Sequence, residues 1–330
     1  MARGRFKGWL GSRGAPRGPR LFYASDIHGT EVLWRKFLRA REFYGAQGLI
    51  MGGDVTGKVA VPVVERNGGW TTHVFDRELR AAGAEELEAL ERRIRGNGMY
   101  PFRTTRAEVE RIASLSETER EEWFEQVILR TFAGWLELAE KRLEPDPCPC
   151  FVMPGNDDPD ALNGLIDAAR LVSGCDDRLV ELHGLTMLSL GYSNRTPWNS
   201  PRELDEEELY RRIAALADQI DDPGRAIFNI HVPPHDSGLD TAAELDADFN
   251  VVLAGTEPNL IPVGSTAVRA ALERYQPLLS LHGHVHESAG ATRIGRTLAV
   301  NPGSDYHTGR ISGCLVTVLD DGVRHQFVAG

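Results

Sequence analysis

The chain has 330 residues, 42% of them hydrophobic and 26% charged, with a formal net charge of -11. That balance belongs to one large or two smaller globular domains with enough apolar material for a sizeable core. The acidic excess argues against nonspecific nucleic-acid binding, and no apolar run reaches the roughly 18 residues of a membrane span.

Residues 1–20 carry Arg3, Arg5, Lys7, Arg13, Arg17 and Arg20 among glycines and prolines, with no acid. With no apolar centre they read as a disordered basic arm and not as a secretory signal. The body of the protein is expected over 21–330. It opens on Leu21-Phe-Tyr-Ala-Ser-Asp26-Ile-His28-Gly29, a buried strand followed by a carboxylate and an imidazole two residues apart. If the backbone stays extended, Asp26 and His28 point the same way at the strand's carboxyl end. That end is where open α/β sheets bind ligands. Thr30 to Glu42 repeats apolar residues at helical spacing, and Leu49-Ile-Met-Gly-Gly-Asp54 is a second strand ending in a carboxylate. This strand–helix–strand is a βαβ unit, which brings Asp54 to the same sheet edge as Asp26.

Residues 58–145 read as an insertion. A hairpin turns at Arg66-Asn67-Gly68-Gly69 and carries His73 on its second arm. Asp76 to Glu144 then reads as two or three amphipathic helices, broken once at Gly96-Asn97-Gly98. Such a helical cap serves as a lid or as the face of a homo-oligomer. Beyond it, Cys150-Phe-Val-Met-Pro delivers Gly155-Asn156-Asp157-Asp158, and Leu185–Leu190 leads into a polar loop holding Asn194 and Arg195. Ala226–Ile230 delivers His231 and then Pro233-Pro234-His235. Leu278–Leu281 runs into His282-Gly283-His284-Val285-His286. Cys148, Cys150, Cys175 and Cys314 have neither zinc-ribbon nor redox spacing. They read as buried thiols of a reducing, cytoplasmic protein.

One pattern therefore recurs. Apolar strands end in Asp-x-His, Gly-Asp, Gly-Asn-Asp-Asp, His and Gly-His-x-His, and polar groups delivered in this way meet at one end of a sheet. Imidazole with carboxylate and amide oxygen suits manganese, iron or zinc, and does not suit a thiolate site.

At these residues the sequence resembles the calcineurin-like metallophosphoesterase superfamily, over most of 21–319 outside the insertion. The resemblance implies an α/β fold of two packed mixed β-sheets flanked by helices, a four-layer sandwich, here with an inserted hairpin and helical cap. It implies two divalent metal ions, manganese first, then iron or zinc. Asp26, His28 and His286 would bind the first, Asn156, His231 and His284 the second, and Asp54 would bridge both. The implied reaction is hydrolysis of a small phosphorylated substrate by a metal-bridging hydroxide attacking phosphorus in line. His231-Val-Pro-Pro-His and Asn301-Pro-Gly-Ser resemble the branch of small bacterial and archaeal phosphoesterases related to cyclic-nucleotide phosphodiesterases, and that branch alone favours diesters.

Many members have Gly-Asn-His where this chain has Asp157, and that histidine is thought to protonate the leaving oxygen. An ordinary Asp is a poor acid at neutral pH, so either its environment tunes it, or His73, His235 or His307 serves, or the leaving group needs little help. Asp158 is expected to orient a ligand histidine, and Asn194 and Arg195 to face the phosphate. Two other readings stand beside this one. A nuclease of the same superfamily is disfavoured by the acidic charge, and a non-catalytic scaffold by the complete ligand set.

Overall fold

The computed structural model describes residues 18–320 and 322–330. The basic arm therefore lies outside the described residues except for its last three positions. In the strand Arg20–Ala24, Leu21 and Tyr23 face one way and Phe22 and Ala24 the other, and all four are buried. A strand covered on both faces reads as an apolar run, and the same holds for Gly48–Met51 and Cys150–Val152, while the equally buried Ala226–Ile230 and Leu279–Leu281 each admit one polar residue, Asn229 and Ser280.

These strands form two six-stranded mixed sheets. In the first, Arg20–Ala24, Gly48–Met51 and Cys150–Val152 run parallel, with Ser312–Leu319 antiparallel beside the first of them. In the second, Leu185–Leu190, Ala226–Ile230, Leu279–Leu281 and Thr297–Asn301 run parallel, with antiparallel strands Arg178–Leu182 and Gly290–Ile294 at the edges. The sheets pack face to face through Leu21, Tyr23 and Ile50 against Met187, Ile227 and Val300. Helices Glu31–Tyr44, Glu117–Leu143 and Leu162–Ala168 cover the outer face of the first sheet, and Glu206–Ala217 and Thr266–Tyr275 that of the second. This is the expected four-layer α/β sandwich. No helix among the described residues is long and apolar enough to cross a membrane.

The stretch from 58 to 145 departs from its sequence reading. The hairpin is present, Val59–Arg66 with Gly69–Val74, and its turn places Asn67 and Gly68 at φ 51° and 77°. Both values suit a primed turn. Two further strands join it where helix was expected, Arg77–Ala81 and Met99–Thr104, giving a four-stranded sheet. Arg77-Glu-Leu-Arg-Ala has no apolar alternation because it is a charged, mostly exposed edge strand, shaped by its pairing and not by burial. One helix, Ala84–Arg95, packs Leu87, Leu90 and Ile94 on Val61, Val63 and Val74 to make a small core of its own.

The long helix Glu117–Leu143 is part of the body. A capping box of Ser116 and Glu119 starts it. It buries Phe132, Trp135, Leu136 and Ala139 over the first sheet. Trp34 stacks on Trp135 at 5.8 Å, and its indole N–H donates to the Trp135 carbonyl at 3.0 Å. Trp34→Ala would leave a large cavity in this layer and remove the indole's bond to the Trp135 carbonyl. The expected loss is about 3–5 kcal/mol of unfolding free energy, measured as a fall in the urea midpoint at unchanged slope. A loss below about 1 kcal/mol would show that the helix is held loosely.

Candidate metal centre

The parallel strands of both sheets deliver the polar residues to one edge, but Asp26 and His28 do not converge through strand alternation. The strand ends at Ala24, and Asp26 and His28 sit in left-handed turns at φ 57° and 39°. Asp54 at 50° and His284 at 66° do likewise. Each such residue costs of order 1 kcal/mol or more and persists only where its surroundings over-determine it. Here the loops are laced together: Asp26 N–H donates to the Gly53 carbonyl at 3.0 Å, and His28 N–H to the Asp54 carbonyl at 3.0 Å. His284 N–H donates to both oxygens of Asp26, at 3.0 and 3.1 Å. The motif glycines permit the approach. A Cβ on Gly283 would lie 2.3 Å from Asp26 Oδ2, and one on Gly155 would lie 2.1 Å from Asp54 Oδ1.

Three groups of ligand atoms, each drawn within 4.8 Å, result among the described residues: Asp26, His28 and His286; Asp54, His231 and His284; and His28, Asp54 and Asp157. In the first, His28 Nε2 lies 3.0 Å from His286 Nε2, which is 3.5 Å from Asp26 Oδ1. In the second, Asn156 Oδ1 lies 3.0 Å from His231 Nε2 and 2.8 Å from His284 Nδ1. Asp54 spans the two, with Oδ1 3.4 Å from His231 Nε2 and Oδ2 3.7 Å from His28 Nε2. All seven residues expected as ligands therefore face one another.

The electrostatics call for a cation. The His231 ring uses Nδ1 to donate to the Gly52 carbonyl at 2.8 Å. That turns the Nε2 lone pair onto the oxygens of Asn156 and Asp54, a repulsive contact unless a proton or a metal ion lies between. In the bare protein a proton fills this role. Burial opposes it, but the Asp54 carboxylate prevails and His231 is pushed up to about 10. Burial, reinforced by Asp157 and Asp158, pushes Asp54 up to about 7 despite His231. Burial also pushes His28 and His284 down to about 3, leaving neutral imidazoles with lone pairs to offer. His28 Nδ1 is buried with no partner among the described residues. A donor set of imidazole nitrogen and carboxylate or amide oxygen, without thiolate, fits a borderline or hard divalent ion.

Other residues take different places from those expected. Asp158 forms no hydrogen bond or ion pair with a histidine among the described residues. It is wholly buried and accepts from the backbone N–H groups of Val55, Thr56 and Gly155 at 2.8–2.9 Å and from the Thr56 hydroxyl at 2.5 Å. It therefore ties the Asp54 turn to the Asn156 turn. Asp157 lies within ligand distance of His28 and Asp54. Its carboxylate pairs with Lys58 Nζ and accepts from Ser200 Oγ at 2.5 Å. Burial alone would raise it, but those two bonds hold it below the usual carboxylate value. Asp157 is thus an ionised acceptor and not a proton donor. Arg195 is exposed and pairs with Asp205 at 3.0 Å, away from the phosphate-facing role expected of it. Asn194 donates to the Val263 carbonyl at 3.4 Å, and its Oδ1 is buried without a partner among the described residues. The ring of His235 forms no hydrogen bond with the described residues, and only its backbone is held, by Ser265 and Arg269. His73 is exposed, and His307 pairs with Asp305 on the surface.

Lys58 and Tyr306 carry no signal in sequence, and Asn301 and Ser304 are read there only as part of a family resemblance. Nothing in a lone lysine before a valine-rich strand marks Lys58 as part of a site. Tyr306 lays its ring 4.7 Å from that of His28. Asn301 donates to the carbonyls of Val285 and Gly283, and Ser304 Oγ donates to the Asp26 carbonyl at 2.6 Å. The Asn301-Pro-Gly-Ser304 turn thus clamps the histidine loop onto the first strand. His282 stays apart, bonded to Ile230, Val232 and Ser280 in the core.

No protein-family model matches the chain. It is 28% identical over 194 residues, 58% of its own length and 80% of the other's, to the uncharacterised protein MJ1162 of Methanocaldococcus jannaschii. Two crystal structures align over 94% of the chain at 14% identity, a likeness of fold. One is covered over 99% of its length with a TM-score of 0.55, and the other, TT1561 of Thermus thermophilus, over 98% with a TM-score of 0.50.

Proposed function

We propose that this chain, which has the calcineurin-like metallophosphoesterase fold, hydrolyses phosphate esters with two divalent cations, manganese before iron or zinc. Asp54, whose two oxygens face two separate groups of nitrogen and oxygen ligands, carries the reading. When bound, two such ions bind an anionic ester and make a water nucleophilic at neutral pH. The chain's own residues do the rest. Asp26, His28 and His286 would hold one ion and Asn156, His231 and His284 the other, while the Gly52 carbonyl and the Asn301 turn keep the rings aimed. Asp157 holds Lys58 over the site, and we assign to Lys58 the contact with the ester oxygen that carries the leaving group's charge. The substrate is a small phosphorylated molecule, a diester before a monoester, on the strength of the His231-Val-Pro-Pro-His and Asn301-Pro-Gly-Ser blocks. The unpaired thiols of Cys148, Cys150, Cys175 and Cys314 suit the cytoplasm.

The deciding experiment compares manganese-loaded and chelator-treated protein on 4-nitrophenyl diester and monoester substrates. The expected result is metal-dependent turnover, faster on the diester. No bound metal and no turnover of either ester would leave a scaffold. Metal uptake also reports on the site. Ions must displace the His231 proton throughout the neutral range and, below about pH 7, the Asp54 proton as well. Manganese affinity should therefore fall on the order of a thousandfold from pH 8 to pH 6, with proton release visible calorimetrically. A flat profile would place the ions elsewhere.

A further inference from the structure

Arg195 pairs with a surface acid, but the next arginine of the same polar loop, Arg202, is turned inward, its side chain 0% exposed. Its guanidinium donates from Nη2 to Asp176 Oδ2 at 2.6 Å and from Nη1 to the Pro154 carbonyl at 3.2 Å. It also lies over the Tyr192 ring, 4.2 Å from the centroid. Asp176 is buried too, and accepts from Gly191 N–H at 2.9 Å and from Asn163 Nδ2 at 3.1 Å. A buried ion pair gives little stability beyond what apolar residues of the same volume would give, since both charges have left water. What it adds here is geometry. The guanidinium is a rigid fork of donors, and it ties together Pro154, Asp176 and its own loop.

The stretch held in this way carries an expected ligand. Pro154 leads directly into Gly155-Asn156-Asp157, and residues 200–202 grip that turn at two further points. Arg202 N–H donates to the Asn156 carbonyl at 3.1 Å, and Ser200 Oγ donates to Asp157 Oδ1 at 2.5 Å. The loops run so close that a Cβ on Gly191 would lie 1.8 Å from the Pro154 carbonyl oxygen. The aim of the Asn156 amide follows from these ties. Its Nδ2 donates to the same Asp157 Oδ1 at 3.3 Å, so its Oδ1 is the end turned toward His231 and His284. An amide oxygen has no net charge with which to draw in a cation, so its contribution depends on its being held in place.

We infer that Arg202 is a positioning residue for the ion expected at Asn156, His231 and His284. With Asp176 as its counter-ion, it straps residues 200–202 over the Asn156 turn and sets the amide oxygen where that ion binds. The inference rests on the two-ion site of the phosphoesterase reading. Arg202 reaches no ligand side chain and acts through the main chain of Pro154 and Asn156. Among the described residues, no hydrogen bond joins residues 200–202 to Asp26, His28 or His286. A residue needed only for folding would weaken both ions alike, whereas loss of this strap should weaken one.

The test titrates metal-free protein with manganese by calorimetry and follows the bound ions by electron paramagnetic resonance. The wild type should take up two ions and show the spectrum of an exchange-coupled pair. In Arg202→Met the affinity for one ion should fall by about 10- to 100-fold and that for the other should stay, so that intermediate manganese gives the spectrum of a lone ion. Adding His28→Ala to Arg202→Met should remove that ion too; if it survives, the wrong ion was lost and the inference fails. Arg202→Lys keeps the charge but not the fork, so it should fold and lose part of the affinity. Trp34→Ala, which loosens the layer outside the first sheet, controls for lost stability and should bind both ions as the wild type does. Wild-type affinity for both ions in Arg202→Met overturns the inference. So does an equal weakening of both, or the same selective loss in Trp34→Ala, either of which would make Arg202 part of the fold alone. Should Arg202→Met not fold, with Asp176 left buried and unpaired, Arg202→Lys decides by the same criteria. A wild type that binds no manganese ends the two-ion reading and the inference together, whereas two unaltered ions in the wild type and in both Arg202 variants end the inference alone.

Discussion

Asp54→Asn is expected to lower metal-dependent hydrolysis by about 10³-fold or more, and to reduce bound metal from two ions per chain to one or none. The carboxylate offers Oδ1 to the His231 side and Oδ2 to the His28 side, and it accepts the Asp157 N–H at 3.0 Å. An amide presents one neutral oxygen and an NH2 group that cannot ligate, so one side of the site loses its shared donor and the centre loses a charge. Losing several kcal/mol of charge stabilisation corresponds to the stated factor, at about 1.4 kcal/mol per tenfold. The rise in melting temperature on adding manganese should shrink in the variant. Metal content by mass spectrometry and paired melting curves check both parts. A variant that keeps two ions and full turnover would remove Asp54 from the centre.

The ligand set was legible because each ligand follows a strand buried on both faces, and such strands announce themselves as apolar runs closed by glycine. The route by which the ligands meet was not. Strand alternation was expected to aim Asp26 and His28 together, yet left-handed turns do it, and a turn's sign is set by bonds from Gly53, Asp54 and His284 that lie far away in sequence. Asp158 shows the same blindness. Its neighbours in sequence suggested a histidine partner, whereas its donors are backbone groups at residues 55, 56 and 155, which no residue type reveals. In the insertion, helical spacing was a sound guide to Ala84–Arg95 and Glu117–Leu143. It could not show that the second of these covers the main sheet, nor find Arg77–Ala81, whose conformation comes from its neighbour.

Lys58→Met is expected to lower kcat by about 10²-fold on a diester with a poor, alkoxide leaving group, and much less on one that releases 4-nitrophenolate. Lys58 Nζ pairs with Asp157, and that ion pair, together with the charge of Asp54, raises its pKa despite partial burial, so it is cationic across the neutral range. A cation fixed over the centre lowers the barrier in proportion to the negative charge that develops on the departing oxygen. That charge is already delocalised in nitrophenolate and must be met from outside in an alkoxide. Asp157 supports the arrangement without giving up a proton, since Lys58 and Ser200 hold it ionised. Asp157→Asn should therefore reproduce part of the Lys58→Met loss with the same dependence on leaving group, and Lys58→Arg should restore part of the rate. An equal loss on both esters would put Lys58 on an oxygen that stays with phosphorus. No loss on either would make Lys58 an ordinary half-exposed lysine, and the leaving oxygen would then take its proton from water.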